Sequence, residues 1–166
     1  MKLSEIENNI RHGDIILIRK NRFISKAICT WTNSFFSHVG VIVKHGDKWF
    51  IVDSNEKGVD IDPLVRRLET TEAVSILRPK ASKVKINKAV KELEKFTDTK
   101  TPYDFLLFLR IAIETAIKVK LNFNTKGFTC SEFSALYLSL LSFNHGLKEN
   151  CIPQEFAKVS QLKKII

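Results

Sequence analysis

Apolar and polar positions along this chain fall into two regimes. Before residue 80 the apolar residues come in short blocks bounded by Gly, Asp, Asn and Pro. "GDIILIR" reads as a turn followed by a buried strand over Asp14–Arg19. Ser37–Lys44, Lys48–Ser54, "GVDI" at 58–61 and "AVSILRP" at 73–79 read as further strands, the last closed by Pro79. Short helices are expected around residues 3–10 and over 22–32. Beyond residue 80 the period lengthens: Ile86, Ala89, Val90, Leu93 and Phe96 recur on one helical face. Phe133, Leu136, Tyr137, Leu140 and Leu141 do the same. Strands first and long helices later predict an α+β domain, with no repeat or Gly/Ser linker to divide residues 1–166.

The segment Tyr103–Leu121 is largely apolar, with a polar stripe of Arg110, Glu114 and Lys118 at four-residue steps. Those charges make it a poor membrane span and point to a core helix. The alternative is a surface that docks on lipid or on a hydrophobic substrate.

Composition narrows the field. The chain has 166 residues, 44% hydrophobic and 27% charged, as expected of a globular domain. Its N-terminus, "MKLSEIENNIRHGD", lacks the apolar core of a signal peptide, so a cytoplasmic location is expected. Three cysteines without a CxxC pair argue against a disulfide framework. The histidines at 12, 38, 45 and 145 lack zinc-ligand spacing, so no metal is expected. The net charge of +9 is spread along the chain, with no basic tail or RNP-like strand motif. It favours weak contact with anionic surfaces such as membranes rather than a specific nucleic acid.

Candidate chemistry begins at Cys130. Thr129 and Glu132 have the spacing of a capping box, which places Cys130 at the first position of a helix. Unpaired N–H groups and the positive end of the helix dipole there stabilise a thiolate and can bind an oxyanion. The plainer alternative is a small buried hydrophobe. Catalysis would need a base, and His38 is the candidate. If His45 and Gly46 form the hairpin loop, paired residues sum to 91 and His38 lies directly opposite Asp53, sharing its face. Gly40 faces Ile51 in that register and keeps the next position open. The carboxylate would then orient the imidazole and leave its second nitrogen for a nucleophile. Glu56 is the competing carboxylate.

The ordered set "GDIILIR…SHVGVIVKHGDKWFIVDSNEKGVDIDPL…TPYDF…FTCSEF" resembles the permuted papain-like cysteine hydrolases of the YaeF/YiiX type. These are relatives of the NlpC-type peptidoglycan peptidases and of lecithin:retinol acyltransferase, and include a poxvirus protein. The resemblance runs from about Gly13 past Cys130. It implies a circularly permuted papain-like fold, an antiparallel sheet packed with helices, in which the histidine strand precedes the cysteine helix. It implies Cys130 as nucleophile, His38 as catalytic histidine, Asp53 as third polar residue and Tyr103 of "PYD" beside the substrate. Asp14 corresponds to a structural Gly-Asp turn. The expected activity is cleavage of an amide bond in a peptide-like or peptidoglycan-like substrate, through a thioester and without a cofactor. A lipid-directed acyl hydrolase or acyltransferase on the same site, or a catalytically silent binding module, are the alternatives.

Overall fold

The computed structural model describes residues 1–21, 25–26, 29–30, 33–55, 57–98, 128–148 and 151–166. The expected helix at 103–121, Tyr103, Glu56 and much of the expected helix at 22–32 lie outside them. The described strands are β1 (Ile15–Lys20), β2 (His38–His45), β3 (Lys48–Asn55), β4 (Gly58–Pro63), β5 (Thr71–Pro79) and β6 (Leu162–Lys164). They form one antiparallel sheet in the order β4-β3-β2-β1-β5-β6. The helices described are α1 (Leu64–Leu68), α2 (Lys83–Asp98) and α3 (Cys130–Leu140). At the N-terminus the expected helix is only a 3-10 turn, Leu3–Glu5, and a second 3-10 segment covers Pro153–Lys158.

Both faces of the sheet are covered, which explains the unbroken apolar run of β1. Ile15 and Leu17 join Val39, Val41, Val43 and Val52 under α2 and α3, where Val90, Leu93, Phe133 and Tyr137 are buried. Ile16 and Ile18 join Ile42, Ile51 and Ile76 on the other face, under Leu64 and Leu68 of α1 and Ile6 and Ile10. Each fully buried aliphatic side chain contributes roughly 1.5–3 kcal/mol relative to exposure. The apolar stripe of α2 behaves as its spacing predicts, with Ala89, Val90 and Leu93 buried and Ile86 and Phe96 packed against them.

The turn before β1 is anchored on three sides. Asp14 is buried and takes Arg78 in a two-point ion pair, Nε to Oδ1 at 2.9 Å and a terminal nitrogen to Oδ2 at 2.8 Å. The Arg11 N–H also donates to Asp14 (2.8 Å), so this carboxylate is structural. Gly13 has φ +85° and accepts the Tyr137 hydroxyl on its carbonyl at 2.9 Å, tying α3 to the start of β1. A Cβ here would run into the Ile86 side chain and the Tyr137 hydroxyl. Gly13→Ala is therefore expected to destabilise by roughly 2–4 kcal/mol, from the left-handed backbone and the clash together. A fall in the urea midpoint at unchanged slope would register it; an unchanged midpoint would contradict this account.

The β2–β3 hairpin corrects the expected register. Its loop is Gly46-Asp47, not His45-Gly46: His45 pairs with Lys48, Lys44 with Trp49 and Val41 with Val52. Gly46, with φ +57°, occupies the first loop position, where a Gly-X hairpin loop needs it. Pairs thus sum to 93, and Asp53 stands across from Gly40 rather than His38. A slip of two residues preserves which side chains share a face. His38 and Asp53 therefore remain on one face as diagonal neighbours.

Candidate active site

His38 is the first residue of β2, at the end of the sheet, and only 8% exposed. Its Nε2 lies 2.7 Å from Oδ2 of Asp53, which is fully buried. Gly40 makes this possible. A Cβ there would press on Ile51 and on Cβ of Asp53, so only glycine leaves the carboxylate room to lean toward the imidazole. The second Asp53 oxygen accepts from Asn55 (3.0 Å) and from Arg67 of α1 (2.9 Å).

Cys130 arrives from the opposite side. The capping box is formed as its spacing predicts: the Glu132 N–H donates to the Thr129 hydroxyl (3.2 Å), and the Thr129 N–H donates to the Glu132 carboxylate (2.9 Å). Immediately upstream, the Ser54 hydroxyl donates to the Phe128 carbonyl at 2.6 Å, and the Phe128 ring packs edge-on against Phe96. Strand alternation explains this clamp. Ser54 shares the face of Val52 that α3 covers, whereas Asp53 points to the face that α1 covers. The site is thus assembled around the end of the sheet. The histidine–aspartate pair comes from one face and the cysteine helix from the other, and the His38 ring at the strand's first residue meets both. The Cys130 thiol lies beside that ring and the Val39 N–H, and both favour its thiolate. With Nε2 committed to Asp53, Nδ1 is the nitrogen left for sulfur.

The electrostatics separate Cys130 from the other thiols. Burial opposes a thiolate, and so does the Asp53 charge. The His38 charge, its hydrogen bond and the Val39 N–H outweigh them and hold the Cys130 thiol below its ordinary value. Burial likewise pushes the His38 imidazolium down, but the Cys130 and Asp53 charges and hydrogen bonds bring it above its ordinary value. Asp53 pays a burial penalty that His38, then Arg67 and Asn55, more than offset, keeping it below the usual carboxylate range. In contrast, burial raises the Cys29 thiol, and burial with the nearby Glu155 charge pushes Cys151 up to about 12.

The remaining histidines are engaged elsewhere: His12 with the Lys44 N–H, His45 with Glu94, His145 with Ser139. Tyr103, expected beside the substrate, lies outside the described residues. Asn55, Ser54 and Arg67 were not anticipated. The one usable signal was physical: a buried carboxylate needs a nearby cation, and "VRRL" follows the strands at once.

The order of elements, with the histidine strand ahead of the cysteine helix on a six-stranded antiparallel sheet, is that of a permuted papain-like hydrolase. The profile of the permuted papain-like amidase enzymes, YaeF/YiiX, C92 family, matches residues 9–109, and the chain belongs to that family. The matched stretch contains His38, Asp53 and Arg67 and ends before Cys130. Among solved structures the chain is similar to the crystal structure of metalloprotein yiiX from Escherichia coli O157:H7, DUF1105. The TM-score is 0.60 at 20% identity, covering 95% of this chain and 97% of that one, a likeness of fold. No curated protein matches the chain. That neighbour is described as a metalloprotein. Among the described residues here, no group of three His, Cys, Asp or Glu side chains is placed to hold a metal ion. No helix among them is long and apolar enough to cross a membrane.

Proposed function

We propose that the chain is a cysteine amidase in which Cys130 is the nucleophile, His38 the acid and base, and Asp53 the residue that orients His38. The observation that carries this reading is the buried His38–Asp53 hydrogen bond with the Cys130 thiol beside the His38 ring, at a capped helix start. The thiolate attacks the carbonyl carbon of an amide, and the oxyanion takes N–H groups of the helix start, including that of Cys130. His38 gives its Nδ1 proton to the departing amine as the C–N bond breaks, leaving a thioester on Cys130. Water then attacks the thioester while His38 takes its proton. The C–S bond breaks, the acid leaves and the thiolate–imidazolium pair is restored.

Peptide-like amides, peptidoglycan peptides among them, are the proposed substrates. The net charge of +9 favours a second reading, acyl hydrolysis or transfer at an anionic lipid surface with an alcohol or amine in place of water. A panel of peptides, muropeptides and phospholipid vesicles, assayed with the parent and with Cys130→Ala, tests both. Cys130-dependent amide cleavage with an acyl adduct on Cys130 is expected. Turnover of phospholipid alone would move the assignment to the second reading. A chain inert on all three, with Cys130 unlabelled by an electrophilic acyl probe, would overturn both.

A further inference from the structure

Asp53 occupies a site that is hostile to a carboxylate. It is fully buried, and the next strand sets two more acidic residues on the same face. Asp60 lies directly across from Asp53, and Asp62 directly across from Ile51. Opposed like charges disfavour one another, and in a dry setting one of them ordinarily keeps a proton. A protonated Asp53 would not pull an imidazolium into place. Asp60 turns one oxygen onto the Ile61 N–H (2.8 Å) of its own strand.

Arg67 counters this. One terminal nitrogen lies 2.9 Å from Oδ1 of Asp53 and 2.9 Å from Oδ2 of Asp62, so a single group bridges the two carboxylates. Its side chain is only 12% exposed, and Nε is buried with no hydrogen-bond partner among the described residues. A guanidinium with an unsatisfied donor is costly to keep in place, and here the carboxylates hold it. The charged and titratable groups around Asp53 are His38 from β2, Asp60 and Asp62 from β4, Arg67 from α1 and Cys130 from α3. Asn55 on its own strand adds a neutral donor. Arg67 is the one permanent cation that bonds Asp53 among the described residues.

From this geometry we infer that Arg67 is a positioning residue for the proposed hydrolase: it keeps Asp53 ionised and turned toward His38 and so sets the pH range over which the imidazolium survives. The inference rests on the reading of Cys130, His38 and Asp53 as the reacting set. Removing Arg67 acts on His38 in two opposed ways: loss of a nearby cation favours the imidazolium, while an Asp53 that takes up a proton or turns away withdraws the negative neighbour the imidazolium needs. The inferred role requires that the second effect prevail.

The test is the His38 ring titration followed by NMR in the full chain, which needs no substrate, together with the pH profile of kcat/KM. In Arg67→Met the His38 midpoint and the basic limb are expected to move to lower pH. The ratio of kcat/KM at pH 8 to that at pH 6 then falls by roughly tenfold for each pH unit moved. Arg67→Lys, which keeps a cation, is expected to restore most of the midpoint. In an Asp53→Asn background, Arg67→Met should no longer lower the midpoint, because its route is gone. If Arg67→Met alone does not fold while Asp53→Asn/Arg67→Met does, the dependence of the buried Asp53 charge on Arg67 is shown directly. Failure of both to fold would assign Arg67 a packing role and overturn the inference, as would a folded Arg67→Met protein with an unmoved or raised His38 midpoint. A parent protein with shifted His38 and Cys130 confines such a failure to Arg67. A parent with ordinary titrations in both groups removes the hydrolase reading and the inference with it.

Discussion

Cys130→Ser is expected to lower kcat/KM on an amide substrate by roughly 10³–10⁶-fold, with the fold intact. The exchange is nearly isosteric at the first position of α3, so the capping box and the packing of Phe133 and Tyr137 are untouched. What changes is the ionisation. A thiol that His38 and the Val39 N–H have lowered ionises more readily than a free one, whereas a hydroxyl in the same place does not ionise at neutral pH. The control is Cys29→Ala/Cys151→Ala. Both of those thiols are raised, Cys151 to about 12, so neither supplies a thiolate at working pH, and activity should persist. Activity measurements with thermal melts on each variant decide the matter. A double variant that is folded but inactive would mean the nucleophile is not Cys130.

The second large effect is on thiol reactivity in His38→Ala. In the parent, the raised His38 and the lowered Cys130 mean that the charged pair persists between two limbs, thiolate formation on the acid side and loss of the imidazolium proton on the basic side. Removing the imidazole leaves burial and the Asp53 charge opposing ionisation, against the Val39 N–H alone. The thiol should then titrate above its ordinary value, and the alkylation rate at pH 6.5 should fall by roughly 10²-fold or more. Asp53→Asn acts at the other limb. The imidazolium loses its negative neighbour, so the basic limb of kcat/KM moves to lower pH while Cys130 stays alkylatable. Iodoacetamide rates across pH in the parent and both variants measure this. A parent titration near the free-thiol value, unchanged in His38→Ala, would exclude the pair.

How much of this could be read beforehand differs from element to element, for physical reasons. The capping box was legible because its two hydrogen bonds are local, three residues apart. The central strands were legible because buried apolar runs need no partner to be recognised. The His38–Asp53 contact was legible through a wrong register: Gly46 satisfies either loop position, and the resulting slip of two preserves the face. Helix α1, with five residues, is too short for periodicity to speak, so Arg67 went unnoticed. Strand β6, with the sequence Leu-Lys-Lys, has no alternation to detect. The docking of α3 against β2 lay beyond local patterning, since it depends on burial far apart in the chain.

That docking has a use beyond chemistry. Cys130 is acidic only while α3 sits against the first residues of β2, because the imidazole and the Val39 N–H that favour the thiolate belong to the strand. In an unfolded chain Cys29, Cys130 and Cys151 are ordinary thiols and react at comparable rates. In the assembled protein, mild acid leaves Cys130 as the thiol most prone to react. Selective labelling at low pH therefore gauges how much of the population has its helix seated. A partly opened chain, with the sheet intact but α3 lifted away, would be chemically quiet before it lost its strands.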